Sequence, residues 1–234
     1  MRQLAIVLAA GTGKRMNSSV AKQYILLKEK PVLYYSLKQF EDSFVDDIIL
    51  VTGDIDYCQK EIVDKYGFQK VRKIVSGGAE RYHSVQEGLK AAEAILEGKE
   101  ACVYIHDGAR PFITEEILVR ARESVETYGS GVVGMPVKDT IKIVDDEQFT
   151  VSTPNRKNVW QMQTPQSFLF SKVKPAYDKL MEQEKALLEQ GVIITDDAMV
   201  VELLGDIRVK LVEGSYQNIK ITTPEDLLVA ESFL

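Results

Sequence analysis

The sequence predicts an α/β fold: a doubly wound, mostly parallel sheet with helices on both faces and a β-hairpin arm protruding from it. Three observations carry this. Leu4-Ala-Ile-Val-Leu-Ala-Ala10 is an unbroken apolar run, which reads as a strand covered on both faces, as in a parallel sheet. Up to residue 137, short β-branched apolar runs alternate with longer stretches of helical periodicity, the pattern of a parallel, doubly wound sheet. Beyond residue 137 a period-two pattern surrounds an acidic turn, the mark of a hairpin.

In chain order, strands are expected over 47–52, 71–75, 101–105 and 131–137, with helices over 31–40, 57–66, 80–96 and 114–128. Pro31 suits a first helical turn, where it leaves no N–H unpaired. Thr140-Ile-Lys-Ile-Val144 alternates, Asp145-Asp-Glu-Gln148 turns, and 149–153 is extended, followed by a loop over 154–158. A lone hairpin is marginal in water, so this arm needs a surface to lie on, either its own domain or a second subunit. Helices over 171–190 and 195–204 follow, then strands over 208–213 and 218–222. The last helix opens with Thr223 as N-cap, Pro224 in the first turn and Asp226 facing back. There is no internal repeat, low-complexity tract or linker, so residues 1–234 read as one domain with 137–158 as its arm.

Composition sets limits. The 234 residues are 45% hydrophobic and 27% charged, with a formal net charge of −6. No sequence-wide basic field draws in nucleic acid, and a polyanionic ligand needs a local cluster of Lys and Arg or a metal ion. Cys58 and Cys102 lie in a helical and a strand pattern and read as buried free thiols. No signal-peptide pattern and no apolar run of membrane-spanning length is present. The expectation is a cytoplasmic protein with neither a membrane nor a nucleic-acid partner.

Ligands of doubly wound sheets bind at the carboxyl ends of the strands, which places 11–15, 77–81 and 106–110 on one rim. Gly11-Thr-Gly13 follows the first strand, where missing Cβ atoms let backbone N–H groups approach a ligand. Lys14, Arg15 and Lys22 add positive charge at its mouth, a combination that suits a polyphosphate. The dinucleotide fingerprint is excluded by Met16 in place of its third glycine, and the P-loop by its spacing and its missing Lys-Ser/Thr. A plain structural turn also follows this pattern. Gly77-Gly78 would let a ligand approach the next helix, where Arg81 and Ser84 supply a charge and a hydroxyl or simply face solvent; His83 is expected to be half exposed there.

In His106-Asp-Gly-Ala-Arg-Pro111, Asp107 can hold Mg²⁺ against phosphate oxygens, or pair with Arg110 and cap the next segment. His106 reads as a general base or as a hydrogen-bonded structural residue; a phosphate nucleophile, already ionised, needs no base. Lys220 lies in Asn218-Ile-Lys-Ile-Thr222, where alternation sets it opposite two isoleucines and towards solvent. Arg156 and Lys157 are further cationic candidates. Thr140, Thr164 and Thr195 stand beside turns, where a hydroxyl serves a phosphate or caps the turn.

Leu8-Ala-Ala-Gly-Thr-Gly-Lys-Arg-Met16 with Lys22-Gln23 resembles the signature of the Rossmann-like sugar-phosphate nucleotidyltransferases. Further segments narrow the resemblance: Gly77-Gly-Ala-Glu-Arg-Tyr-His-Ser-Val85, His106 to Pro111, Pro136-Val-Lys-Asp-Thr140, Gln163-Thr-Pro-Gln166, Thr195-Asp-Asp197 and the stretch from Glu213 to Asp226. In order and at compatible spacing, they are similar to the 2-C-methyl-D-erythritol 4-phosphate cytidylyltransferase family of the non-mevalonate isoprenoid pathway, nearly end to end.

The resemblance implies that the acceptor's phosphate attacks the α-phosphorus of CTP, the co-substrate, with Mg²⁺ assisting and pyrophosphate leaving. It implies catalytic roles for Arg15 and Lys22, on the α-phosphate charge, and for Arg156 and Lys220, on the acceptor phosphate. Ala9, Ala10, Gly11, Gly13, Gly78, Ala79, Arg81 and Ser84 would contact the nucleotide. Asp107 would support the metal, directly or through water. Asp107, Arg110, Thr140, Thr164 and Thr195 would join Arg156 and Lys220 around the acceptor, a polyol phosphate. The arm would cross to a second subunit, making a homodimer in which Thr140 and Arg156 serve the partner's site. Ala21, Ala79 and Met199 depart from the family's usual proline, acidic residue and small polar residue, and none removes a charge that the chemistry needs. Ribitol 5-phosphate cytidylyltransferase and a non-catalytic nucleotide-sensing module are the alternative readings.

Overall fold

The computed structural model describes residues 1–11 and 21–234; Gly13, Lys14 and Arg15 lie outside the described residues. The elements are β1 (Arg2–Ala9), β2 (Leu26–Leu27), β3 (Lys30–Pro31), α1 (Val32–Asp42), β4 (Asp47–Thr52) and α2 (Ile55–Tyr57), which runs into a π-helical stretch, Cys58–Asp64. Then come β5 (Val71–Ser76), α3 (Arg81–Leu96), β6 (Ala101–Asp107), α4 (Glu115–Tyr128) and β7 (Ser130–Pro136). The arm contains β8 (Ile143–Val144) and β9 (Thr150–Ser152), followed by β10 (Trp160–Leu169), α5 (Phe170–Glu189), α6 (Asp197–Leu204), β11 (Leu211–Glu213) and α7 (Pro224–Glu231).

Seven strands form one sheet in the order β11-β7-β10-β6-β1-β4-β5. β1 is parallel to β4 and β6, β5 to β4, and β11 to β7, while β10 runs antiparallel to both β6 and β7. The sheet is therefore mostly parallel, as the alternation implies. Strand pleating explains the two cores. Leu4 and Ile6 of β1 face one cluster with α3, α5 and α6, while Ala5, Val7 and Ala9 face the other with α1, the Cys58–Asp64 stretch and α4. Cys58 and Cys102 are buried free thiols within the second cluster.

Three elements depart from the pattern. The strand β10 was unforeseen from the pattern, because Gln161, Gln163 and Gln166 interrupt the apolar sequence and Pro165 breaks it. The structure accommodates that proline at a shift of register between Met162 and Gln166, the kind of irregularity that lets Pro into a sheet. Residues 218–222 are not a strand: the segment runs beside β6's end, with the Ile221 N–H donating to the Ala109 carbonyl at 2.9 Å. The strand expected over 208–213 is confined to Leu211–Glu213.

The arm leaves after β7 and returns before β10. The Val137 N–H donates to the Val159 carbonyl at its root. Its tip exposes Ile143, Val144, Phe149 and Val151.

Candidate active site

A cleft opens along the carboxyl ends of β1, β5 and β6. Leu8, Ala9, Ala10 and Gly11 line it from β1, Lys22 and Gln23 from the short turn beyond, and Gly78 to Arg81 with Ser84 from the β5–α3 junction. Asp107 and Ala109 form the floor, and Lys220 reaches in from the far side. The strand ends are tied in pairs: Gly108 N–H, after β6, donates to Leu8 O of β1 at 2.8 Å, and Gly77 N–H, after β5, donates to Thr52 O of β4 at 2.9 Å. Gln23, buried, donates to the Ala9 carbonyl. A Cβ at Gly77 would stand 2.3 Å from Ala10 Cβ, and one at Gly78 would stand 2.3 Å from His83 Cβ. The glycine pair thus lets the β5–α3 loop close against β1 and α3.

The floor is ionic. Asp107 Oδ2 meets Lys220 Nζ at 2.7 Å and Arg110 Nε at 4.0 Å, and Oδ1 meets Arg81 Nε at 3.4 Å. Burial alone would raise the Asp107 carboxyl; the charges of Arg81, Lys220 and Arg110 outweigh it and hold the group well below the usual carboxylate range. Arg81 also forms a two-pronged bridge to Asp197 at 2.8 and 2.7 Å, and Tyr177 donates to the same carboxylate. Burial opposes the Arg81 charge, but Asp197 and Asp107 more than restore it. Arg110 donates to the Asn218 carbonyl at 2.7 Å, which fixes the segment that carries Lys220. Three cations against two carboxylates leave the floor net positive, as an anionic ligand requires.

His106 is structural. The Arg110 carbonyl, 3.0 Å from Nε2, can only accept, so the neutral ring carries its proton there; Nδ1 then accepts from the Thr164 hydroxyl at 3.0 Å, and that hydroxyl oxygen accepts from Asp107 N–H at 3.1 Å. Burial pushes the imidazole down to about 4, and the ring does not line the cleft. The general-base reading falls.

Lys220 does not turn to solvent as its alternation implies, because the segment is not a strand and its ammonium is drawn onto Asp107. Thr164 is buried, with its hydroxyl spent on His106 and Asp107 N–H, so it positions the floor instead of facing the cleft. Thr140, Arg156 and Thr195 are exposed and do not line the cleft of their own chain. Arg156 donates to the Lys138 carbonyl at the arm's root, and Thr195 contacts Met199 Sδ.

Among the described residues no group of three His, Cys, Asp or Glu is placed to hold a metal ion. Both Asp107 oxygens face cations, so this carboxylate does not fit direct metal coordination as it stands. Sequence reasoning left Asp197, Tyr177 and Asn218 out of the site. Asp197 was legible as the second of two acidic residues opening an apolar helix. Tyr177 gives no local signal, since only the fold brings α5 under Arg81.

A net-positive floor beneath a glycine-lined wall, at the rim of a doubly wound sheet, suits transfer between two phosphate-bearing anions, the work of the nucleotidyltransferase class. The comparisons with known proteins are narrower. The profile of 2-C-methyl-D-erythritol 4-phosphate cytidylyltransferase matches residues 3–234. The enzyme of that name from Lachnoclostridium phytofermentans is 50% identical over 232 residues, 98% of this chain and 95% of its own. That from Caldanaerobacter subterraneus is 45% identical over 237 residues, 100% and 99% of the two chains. The crystal structure of 4-diphosphocytidyl-2C-methyl-D-erythritol synthase from Anaerococcus prevotii superposes with a TM-score of 0.83 at 35% identity, covering 99% of this chain and 95% of that one. The chain belongs to the 2-C-methyl-D-erythritol 4-phosphate cytidylyltransferase family.

Proposed function

We propose that the cleft transfers CMP from CTP to 2-C-methyl-D-erythritol 4-phosphate, giving 4-diphosphocytidyl-2-C-methyl-D-erythritol and pyrophosphate for isoprenoid biosynthesis. An oxygen of the acceptor phosphate attacks the α-phosphorus, a new P–O bond forms, and the bond to pyrophosphate breaks. Because both reactants are anions, the protein's work is positioning and charge neutralisation. The observation that carries this reading is that Lys220 and Arg81 are both held on Asp107 in the cleft that the glycine wall lines.

The wall of Ala9, Ala10, Gly11, Gly78, Ala79 and Ser84 binds the nucleotide, joined by Gly13 and Arg81. Lys22 and Arg15 act on the α-phosphate, and Lys220 on the acceptor phosphate. Mg²⁺, when bound with the triphosphate, would offset its charge, and Asp107, whose oxygens already face cations, would be the residue placed to support it through water. Residues 1–234 form one domain whose arm clasps a second subunit. Support comes from Phe149 and Val151, 68% and 65% exposed on an otherwise marginal hairpin. Arg156 and Thr140, outside their own chain's cleft, then complete the partner's site, with Thr195 reaching the same acceptor. The reaction belongs in the cytoplasm, where CTP is held. Ribitol 5-phosphate is not favoured as acceptor: relatives at 45–50% identity over nearly the whole chain carry the methylerythritol name.

The test is pyrophosphate release from protein, CTP and Mg²⁺ with each polyol phosphate in turn. Turnover with the methylerythritol substrate well above that with ribitol 5-phosphate is expected. Equal turnover with both refutes the acceptor assignment, and CTP binding with no turnover leaves a nucleotide sensor.

A further inference from the structure

The nucleotide wall is braced from outside the cleft. Gly78, Ala79 and Glu80 line it, and two neighbouring side chains hold this tripeptide. Ser84 Oγ accepts from Gly78 N–H at 3.1 Å. His83 Nδ1 accepts from Glu80 N–H at 3.2 Å, and the His83 Cβ lies in contact with Gly78. His83 does not line the cleft itself. Its Nδ1 is an acceptor, so the ring proton sits on Nε2, which donates to Glu184 Oε1 on α5 at 2.9 Å. The Tyr82 hydroxyl donates to that same oxygen at 2.8 Å, and the Tyr82 and His83 rings lie 4.5 Å apart. The Tyr82 bond, aided by His83, holds the Glu184 carboxyl below its ordinary range, so it is a charged acceptor, the stronger kind. A chain of contacts therefore runs from α5 through one imidazole to the backbone that faces the ligand.

We infer that His83, oriented by Glu184 and Tyr82, is a positioning residue that sets the nucleotide wall and hence affinity for CTP without touching it. His83 occupies the N3 position of α3, where Glu or Gln ordinarily accepts from the N-cap N–H. Unlike a Glu carboxylate, the imidazole keeps a donor, Nε2–H, on its far edge, and that donor lets a different helix fix the rotamer. The wall's geometry is then coupled to the docking of α5. The inference rests on the reading that this wall holds CTP, and the experiment separates the two.

Steady-state kinetics are measured with CTP and the acceptor varied in turn, alongside thermal melts, for H83L, H83Q, E184L, H83L/E184L and S84A. Loss of one net hydrogen bond is worth about fivefold, so H83L should raise the KM for CTP by about that factor, with kcat and the acceptor KM unchanged. H83Q, which restores an N3 acceptor, should recover most of the loss. E184L should give a smaller rise, and the double variant should be no worse than H83L, because Glu184 acts only through His83. An H83L enzyme with unchanged KM for CTP, additive effects in the double variant, or equal damage to both substrates overturns the inference. If S84A also leaves the CTP KM unchanged, the wall does not bind the nucleotide and both readings fall. If S84A moves it and H83L does not, only the brace falls.

Discussion

The floor of the cleft and the arm meet at the same rim, yet they are built by opposite means. On the floor, each charged group is held by a partner: Asp107 by Lys220 and Arg81, Arg81 by Asp197, and Asp197 also by the Tyr177 hydroxyl. Asp197 has no exposed surface at all. The arm pairs two short strands and shows its apolar side chains to solvent. A buried ionic network specifies one arrangement and is costly to break, so the floor is organised before any ligand arrives. The arm lacks such internal constraint, and its geometry is left to whatever it packs against. One half of the proposed site is thus written into the chain's own core; if the proposed dimer forms, the other half is written into the assembly.

Breaking the floor should have the largest effect. Removing one partner of a buried pair costs about 3–5 kcal/mol, so Asp197→Ala should lower stability by that order, seen as a shifted denaturation midpoint with an unchanged m-value. A change under about 1 kcal/mol, the range of an exposed pair, would mean the floor is no more constrained than the surface.

Next comes the chemistry that the floor supports. Loss of one group aimed at developing charge costs about 100- to 1,000-fold in turnover. Lys22→Ala and Arg15→Ala should each lower kcat on that scale while the KM for CTP changes little, because on the proposed reading the rest of the nucleotide wall still holds the ground-state triphosphate. Lys22→Arg should rescue only partly, as a planar guanidinium does not replace a compact ammonium. Near-normal single-turnover rates in both alanine variants would reduce these residues to surface charge.

Acid provides a third test of the floor. His106 is neutral in the folded state, with its pKa lowered to about 4, against about 6.5 in an unfolded chain. Between these values the unfolded state binds the extra proton, so stability should fall as pH drops from about 6.5 to about 4, by roughly 3 kcal/mol in total. Below that range this contribution is flat. Asp107, with its pKa depressed, adds stability that is lost only at still lower pH. His106→Gln should remove the slope above pH 4, and a persisting slope would assign it elsewhere.

The arm should respond in the reverse sense. Phe149→Ser with Val151→Ser should leave the fold's stability within about 0.5 kcal/mol, as exposed substitutions do, while abolishing dimers in sedimentation and lowering activity. An active monomer at micromolar concentration would sever the arm from the site.

How much of this was legible follows from where side chains find their partners. β1 and the following glycine were plain because an apolar run and a turn are local facts. Lys220 was misread by alternation because its environment is made by Asp107, over a hundred residues earlier. β10 was missed because polarity in a strand normally means exposure. Here Gln163 donates to the Ser215 carbonyl and Gln166 to Asp196, and Gln166 accepts from Ala198 N–H. These glutamines are buried fasteners between the sheet and its loops, and nothing near them in sequence announces the loops they hold. His83 was legible as half-exposed, but not as a link to Glu184, a hundred residues away.

The reversed strand has a consequence for how such a protein changes over time. Because β10 runs back along β7, the excursion between them starts and finishes at a single rung of the ladder, Val137 against Val159. An insertion or deletion there shifts no strand, and loop closure grows by only about 0.6 kcal/mol per doubling of length. The excursion is a cassette plugged into a fixed socket. Its length and tip can diverge quickly, and with them any surface it packs against, while the cleft at the strand ends stays unaltered.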